Sequence, residues 1–290
     1  MAKRHRRKLT VELIILAVFI IIAGYRYIQN MQKAELVSGT IELHVIDVGQ
    51  GDSILIKTEA GNILIDAGTG ESETALSSYL DSVGVSDFEY CIFTHPHEDH
   101  IGGADMIIED YDVRNVIISP AVTDTRTFER LLDALERSDA NVIEALPDAK
   151  YNVGDAEIMI MGPVAVGSGR DLNNSSVVAR ISYGSVRMMF TGDAEAAEEG
   201  DILERYSVFE LDCDFLKMGH HGSSTSSSED FMNAVTPSIA AISCGKGNSY
   251  GHPHGETITL LEERNIEYHR TDELGDLVYV CDGRTIELTD

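Results

Sequence analysis

Positive charge is scarce in this chain. Its 290 residues hold 22 Lys and Arg against 49 Asp and Glu, a formal charge of −27. Lys3, Arg4, Arg6, Arg7, Lys8, Arg26 and Lys33 all precede Ala34, so beyond that point 15 Lys and Arg face 48 Asp and Glu, about −33. The shortage argues against a broad basic surface that binds nucleic acid by releasing counterions. An anionic substrate has to be attracted locally, which bound metal ions can do. The acidity itself suits solubility. Cysteine is sparse too. Cys91, Cys213, Cys244 and Cys281 each lie in or beside an apolar run, and none forms a CxxC pair. That speaks against a structural zinc knuckle and for buried free thiols.

One long apolar run is present, Leu13 to Tyr25, behind the basic residues. Counted from Leu9 to Ile28 it reaches roughly the 20 residues that span a bilayer. A small-x-small cleavage site is poor, since Ile21 precedes Ala23 and Ile22 precedes Gly24. No Cys follows, which excludes a lipoprotein. Residues 1–28 are therefore expected to be a cytoplasmic basic end and a single-pass membrane anchor, with a cleaved signal peptide and a secreted protein as the alternative. The positive-inside rule sends the remainder outward, giving an extracellular catalytic domain. Residues 29–40 read as a polar stalk, and no linker interrupts 41–290, which is expected to form one domain.

Within 41–290, β-rich runs recur at 41–48, 53–57 and 62–66, separated by Gly-containing turns. Leu76, Tyr79, Leu80 and Val83 have helical spacing over 72–83. After Tyr90 to Phe93 the pattern alternates. Strands are predicted at 113–119, 141–145, 157–161, 176–183, 186–191, 212–218, 239–243, 267–269 and 277–281. Helices are predicted at 124–137, 194–206, 229–235 and 256–264. Groups of strands with helices between them predict two sheets sandwiched by helices, an α/β (α+β) architecture.

The chemistry is concentrated in Thr94-His95-Pro96-His97-Glu98-Asp99-His100-Ile101-Gly102-Gly103, which follows an apolar strand. Imidazole and carboxylate are the usual ligands of zinc and related divalent ions. Further histidines pair at His220/His221 and His252/His254, each after a predicted strand, so the three clusters can meet along one sheet edge. No histidine occurs between His100 and His220. In that gap Thr191-Gly192-Asp193 ends a strand on a carboxylate, which can bridge two cations or cap the following helix.

His95 to Gly103 resembles the H-x-H-x-D-H loop of metallo-β-lactamase-fold hydrolases. The ordered set HVIDVGQGDSILI, LIDAG, NNSSVVARISYG, MMFTGDAE, LKMGHHGSSTSSS and ISCGKGNSYGHPH is similar to the hydrolase domain of ComEC-type competence proteins, over about Ile41 to Cys281. The resemblance implies a four-layer αββα metallo-β-lactamase sandwich and two divalent metal ions, zinc first and manganese as the substitute. It implies His95 and His97 on the first ion, Asp99 and His100 on the second, Asp193 between them, and His220 or His221 on the second. Asp66 would orient the site, and His252 and His254 would serve metal, substrate or structure. Asn173, Asn174, Ser175 and Ser176 stand where many members carry a third histidine for the first ion, which leaves that ion few strong ligands.

Two cations lower the pKa of water and neutralise charge on a phosphoester. Asp99 or Asp193 would hold the water's proton, and solvent or His221 would protonate the leaving group. The expectation is a metal-dependent phosphodiesterase or nuclease acting on DNA or a cell-wall polymer, with no obligate protein partner evident. The alternatives are a hydrolase of a lactam, lactone or thioester, and a non-catalytic surface module that binds a partner in DNA uptake or envelope assembly.

Overall fold

The computed structural model describes residues 39–165 and 171–289, together with Gly24. The first sheet contains β1 (Ile41–Val45), β2 (Ile54–Thr58), β3 (Gly61–Ile65), β4 (Asp87–Phe93), β5 (Asp112–Ile118) and β6 (Asn141–Glu144). The second begins with β7 (Lys150–Val153), β8 (Ala156–Gly162), β9 (Val178–Tyr183) and β10 (Val186–Phe190). It continues through β11 (Phe215–Lys217), β12 (Ile239–Ile242) and β13 (Glu267–Arg270). The chain then returns to the first sheet with β14 (Leu277–Cys281) and β15 (Ile286–Leu288). The strand orders are β15-β14-β1-β2-β3-β4-β5-β6 and β13-β12-β11-β10-β9-β8-β7.

Side-chain alternation assigns each strand two buried faces. Ile54, Ile56, Ile63, Ile65 and Ile92 point inward to meet Ile158, Ile181, Met188 and Phe215 of the other sheet. Their neighbours Leu55, Leu64, Cys91 and Phe93 point outward against Leu76, Ile107 and Phe128 of the covering helices. On the second sheet Met189, Leu216 and Ala240 pack outward against Ile202, Phe231 and Leu261. Three apolar cores separated by two sheets make four layers, αββα. Runs apolar on both faces are what a sheet covered on both sides requires. The helices Glu73–Ser82, Ala104–Asp110 and Arg126–Arg137 cover the first sheet, and Ala196–Arg205, Glu229–Val235 and Gly255–Glu263 the second.

From β3 to β6 and from β10 to β13 neighbouring strands run parallel. Their C-terminal ends therefore lie on one edge, where ligands bind in open α/β sheets. Every metal-type residue predicted from the sequence follows one of β3, β4, β10, β11 or β12.

Some elements differ from expectation. The strand predicted at 212–218 is only Phe215–Lys217, because Val208–Leu211 forms a short helix whose N-cap Ser207 and Glu210 make a reciprocal capping box. β7 and β15 were not predicted. Both are short strands at sheet edges with mixed polarity. All four cysteines are buried and free.

The membrane placement needs correction. Among the described residues no helix is long and apolar enough to cross a membrane. The longest described helix, Arg126–Arg137, has 12 residues and interleaves charges with its buried face, against the ~20 apolar residues a span requires. Apart from Gly24, the expected anchor within 1–28 lies outside the described residues, as does most of the stalk.

Phe215 lies fully buried between the sheets, edge-on to Tyr279 at 5.1 Å and tilted to Phe190 at 6.1 Å. Phe215→Ala is expected to cost about 3–5 kcal/mol. Urea unfolding of the variant and the parent, with unchanged m-value, checks this.

Candidate functional site

The histidine loop is held from below. Asp66, at the end of β3 with a φ of 59°, accepts hydrogen bonds from the Thr94 N–H at 2.8 Å and hydroxyl at 2.7 Å. Its Oδ2 also lies 2.7 Å from His100 Nδ1. Asp52 N–H donates to the Asp99 carbonyl, Ala67 N–H to that of His100, and Gly102 N–H to that of Gly68. A Cβ at Gly102 would stand 2.2 Å from Gly70 N, so the close crossing of these two loops requires glycine there.

Asp193 is the centre. It is buried, its N–H donates to Ser176 Oγ, and its carboxylate faces the Nε2 atoms of four histidines. Its Oδ1 lies 3.2 Å from His100 Nε2. Its Oδ2 lies 3.6 Å from His220, 3.7 Å from His221 and 3.9 Å from His95. His97 Nδ1 stands 2.9 Å from His95 Nε2, and Asp99 Oδ2 3.3 Å from His221 Nε2. The helix Ala196–Arg205 takes Glu195 as its N-cap residue, so Asp193 is not spent on capping.

His220 and His221 are adjacent, yet both have positive φ (48° and 53°), and their rings part around Asp193. His221 joins Asp99 and His100, whereas His220 turns toward Glu195 Oε1, 3.2 Å from its Nδ1. Gly222, with a φ of 81°, completes the turn; a Cβ there would meet Pro253 Cβ at 2.7 Å.

Of the carboxylates behind these rings, sequence reasoning named Asp66 and missed Asp52 and Glu195. Asp52 Oδ1 lies 3.2 Å from His221 Nδ1, and its Oδ2 accepts from the fully buried Lys217 Nζ at 2.9 Å. Glu195 stands behind His220, and Asp66 behind His100. Each of these three histidines thus has a carboxylate at Nδ1 and Asp193 at Nε2. A carboxylate at the far nitrogen fixes tautomer and orientation for a metal-binding imidazole. The available signal was Lys217, a lone cation inside an apolar strand just before the His pair.

The remaining candidates divide. His252 stacks on His221, with ring centroids 6.2 Å apart, and lines the cavity. Asn173 lines it too, with its Nδ2 toward Glu195. His254 is turned away, its Nδ1 accepting from Ser224 N–H and its Nε2 near the Tyr250 carbonyl. The cavity has a volume of about 330 Å³.

Burial alone would raise the carboxyl pKa values. The His100 and His221 charges instead hold Asp193 well below the usual range and bring Asp99 down to about 2. Burial disfavours charge on His100 and His221, yet Asp193 raises the first well above its ordinary value and the second up to about 10. Burial, and then the His100 charge, push His95 well below its ordinary value.

The donor set fits divalent cations. His100 Nε2, Asp193 Oδ1 and His221 Nε2 are buried without hydrogen-bond partners, an arrangement that costs free energy unless something binds them. Donor atoms of Asp99, His100, Asp193 and His221 all lie within 4.8 Å of one another. Beside this group, His95 and His220 Nε2 lie 3.9 and 3.6 Å from Asp193 Oδ2, and His97 Nδ1 stands 2.9 Å from His95 Nε2. Nitrogen and oxygen donors of this kind suit zinc or manganese.

Two outcomes follow. Lys217→Met leaves the buried Asp52 without its lysine, with only His221 beside it, and should cost about 3–5 kcal/mol. Adding Asp52→Leu should restore most of that stability in urea unfolding, while metal affinity stays about 10–100-fold down for want of the carboxylate behind His221. Secondly, a cation binding His100 and His221 must displace their protons, so affinity rises with pH. Isothermal titration with zinc is expected to show a gain of about tenfold per pH unit for each proton released.

Residues 46–246 match the metallo-beta-lactamase superfamily. The chain is 30% identical to ComE operon protein 3 of Bacillus subtilis over 256 residues, which is 82% of this chain and 33% of that protein. It is 29% identical to competence protein ComA of Neisseria gonorrhoeae over 240 residues, 81% of this chain and 31% of that one. The chain thus spans about a third of the length of these ComEC-type relatives. Among solved structures, the metallo-beta-lactamase fold protein YhfI from Bacillus subtilis aligns with a TM-score of 0.58 at 14% identity. That alignment covers 84% of this chain and 100% of YhfI, a likeness of fold. With the match extending over more than half of its length, and two sheets carrying a His/Asp cluster on one edge, the chain belongs to the metallo-beta-lactamase superfamily.

Proposed function

We propose that the chain is a metal-dependent hydrolase of phosphodiesters. The observation that carries this is Asp193, a buried carboxylate at the floor of an open cavity that faces the Nε2 atoms of four histidines, those of His100 and His221 without hydrogen-bond partners. His95, His97, His220 and Asp193 Oδ2 would hold one ion, and Asp99, His100, His221 and Asp193 Oδ1 the other. Zinc is the first choice for such imidazole-rich sets, with manganese the substitute. Bound there, the ions supply Lewis acidity and lower the pKa of water.

The protein's own groups divide the remaining work. Asp99 keeps part of its side chain in the cavity and is placed to accept a proton from an attacking water. His221 is not free to protonate a leaving group. Its Nδ1 faces Asp52 and the Ser243 carbonyl, and its Nε2 faces Asp99 and Asp193. The leaving oxygen therefore takes its proton from solvent at the cavity mouth. Asp66, Asp52 and Glu195 hold their imidazoles in one tautomer.

The walls of the cavity constrain the substrate. Among the described residues none that lines the cavity is aliphatic. Apart from the Tyr250 ring, a lactam, lactone or thioester carrying an apolar acyl group finds no apolar side chain to lie on, whereas a charged diester suits polar walls and cations. Likeness to competence proteins points the same way, toward DNA, with a cell-wall phosphate polymer as the other diester.

Protein purified with zinc or manganese should hydrolyse bis-p-nitrophenyl phosphate and leave nitrocefin and lactones intact. Asp193→Ala should lose its metal, and with it at least about a hundredfold in rate. Metal-replete wild type inactive on every phosphodiester tried would sink the proposal. A purely binding role would instead leave cellular function intact after replacement of both His95 and His97.

A further inference from the structure

The cavity has one wall with no place in the hydrolytic chemistry. Tyr250 is 66% exposed, yet its ring stacks on His252 with centroids 5.6 Å apart and planes 21° apart. His252 stacks in turn on His221 at 6.2 Å and 30°. A series of nearly parallel rings thus leads from solvent down to the Asp193 cluster. Of the large apolar side chains exposed among the described residues, Tyr250 alone lines this cavity.

The loop beneath Tyr250 is built to hold it. Asn248 Oδ1 accepts from the N–H groups of Tyr250 at 3.1 Å and His252 at 3.0 Å. Asn248 Nδ2 donates to the carbonyls of Gly245 at 2.9 Å and His252 at 2.6 Å. Gln50 Oε1 accepts from Gly245 N–H at 3.1 Å, tying the loop to the β1–β2 connection. With one face on His252 and two-thirds of its surface exposed, the Tyr250 ring offers its other face to solvent.

We infer that the Tyr250–His252 pair is a stacking platform for the nucleobase beside the scissile phosphodiester of a single strand. This rests on the phosphodiesterase reading and adds the surface that positions the base. Stacking on aromatic side chains is how proteins hold single strands without reading sequence, because every base has a π face. The charge balance requires such a device. A body near −33 lacks the basic groove that usually binds nucleic acid, so affinity must come from the phosphate at the cations and the base on the ring. A duplex keeps its bases stacked inside and presents none to Tyr250. A glycerol- or sugar-phosphate polymer has no planar ring and gains nothing from it.

The test uses the full chain loaded with manganese and three oligomers of equal length. One is single-stranded DNA, one is the same backbone without bases, and one is a glycerol-phosphate oligomer. Wild type should favour the base-bearing oligomer over the abasic one through KM, by about tenfold or more. Tyr250→Ala should shrink that ratio toward one, and Tyr250→Phe should retain it. Equal KM values in wild type, a ratio unmoved by Tyr250→Ala, or preference for the glycerol-phosphate oligomer would each overturn the platform while leaving the phosphodiesterase standing. Failure of wild type to cut any of the three overturns the phosphodiesterase reading, and the platform with it.

Discussion

A buried carboxylate cannot stay ionised without compensation, and Asp193 is ringed by imidazoles that provide it. Much of the local structure follows from that need. Four histidines from two loops must reach one side chain, so the ends of β4, β10 and β11 must meet at one edge. The parallel runs β3–β6 and β10–β13 secure this, because parallel strands bring their C-terminal ends together. The compensation is also labile. Protons on His100 and His221 balance Asp99 and Asp193 in the absence of cations, and cations would take over the same role once the protons leave.

The second ring of residues answers the same constraint. Imidazoles crowded round one carboxylate would repel each other if their charges and tautomers were left to chance. Asp66, Asp52 and Glu195 settle this by occupying the Nδ1 side of His100, His221 and His220. Asp52 then needs its own counter-charge, and Lys217 supplies it from inside β11. A fully buried lysine in a central strand makes little sense for stability alone. Here it closes a chain of charges that begins at Asp193.

Much of this was legible in the sequence because it is local. The β-branched runs gave most strands, helical spacing gave the covering helices, and the His95–His100 loop declared its chemistry through residue type alone. Asp193 was legible as a carboxylate at a strand end. β7 escaped because Lys150-Tyr151-Asn152-Val153 is too polar and too short to register as a strand. The Asp52–Lys217 pair escaped because its members are 165 positions apart and only the folded sheets bring them together. The choice between His220 and His221 could not be made from spacing, since two positive-φ residues in a row bring both neighbouring rings to Asp193 Oδ2, at 3.6 and 3.7 Å. The absence of histidine between 101 and 219 predicted a poorly furnished first site. In the structure the donor atoms of Asp99, His100, Asp193 and His221 gather within 4.8 Å of one another, and His220 Nε2 lies 3.6 Å from Asp193 Oδ2.

Gly222 ties the parts together mechanically. With Pro253 Cβ only 2.7 Å from where its own Cβ would be, and with its carbonyl accepting from His254 N–H and Thr257 Oγ1, it ties the His220/His221 turn to the segment carrying Tyr250 and His252. Floor and rim of the cavity are therefore joined at one residue, so a side chain introduced at Gly222 would displace His221 and the Tyr250 segment together.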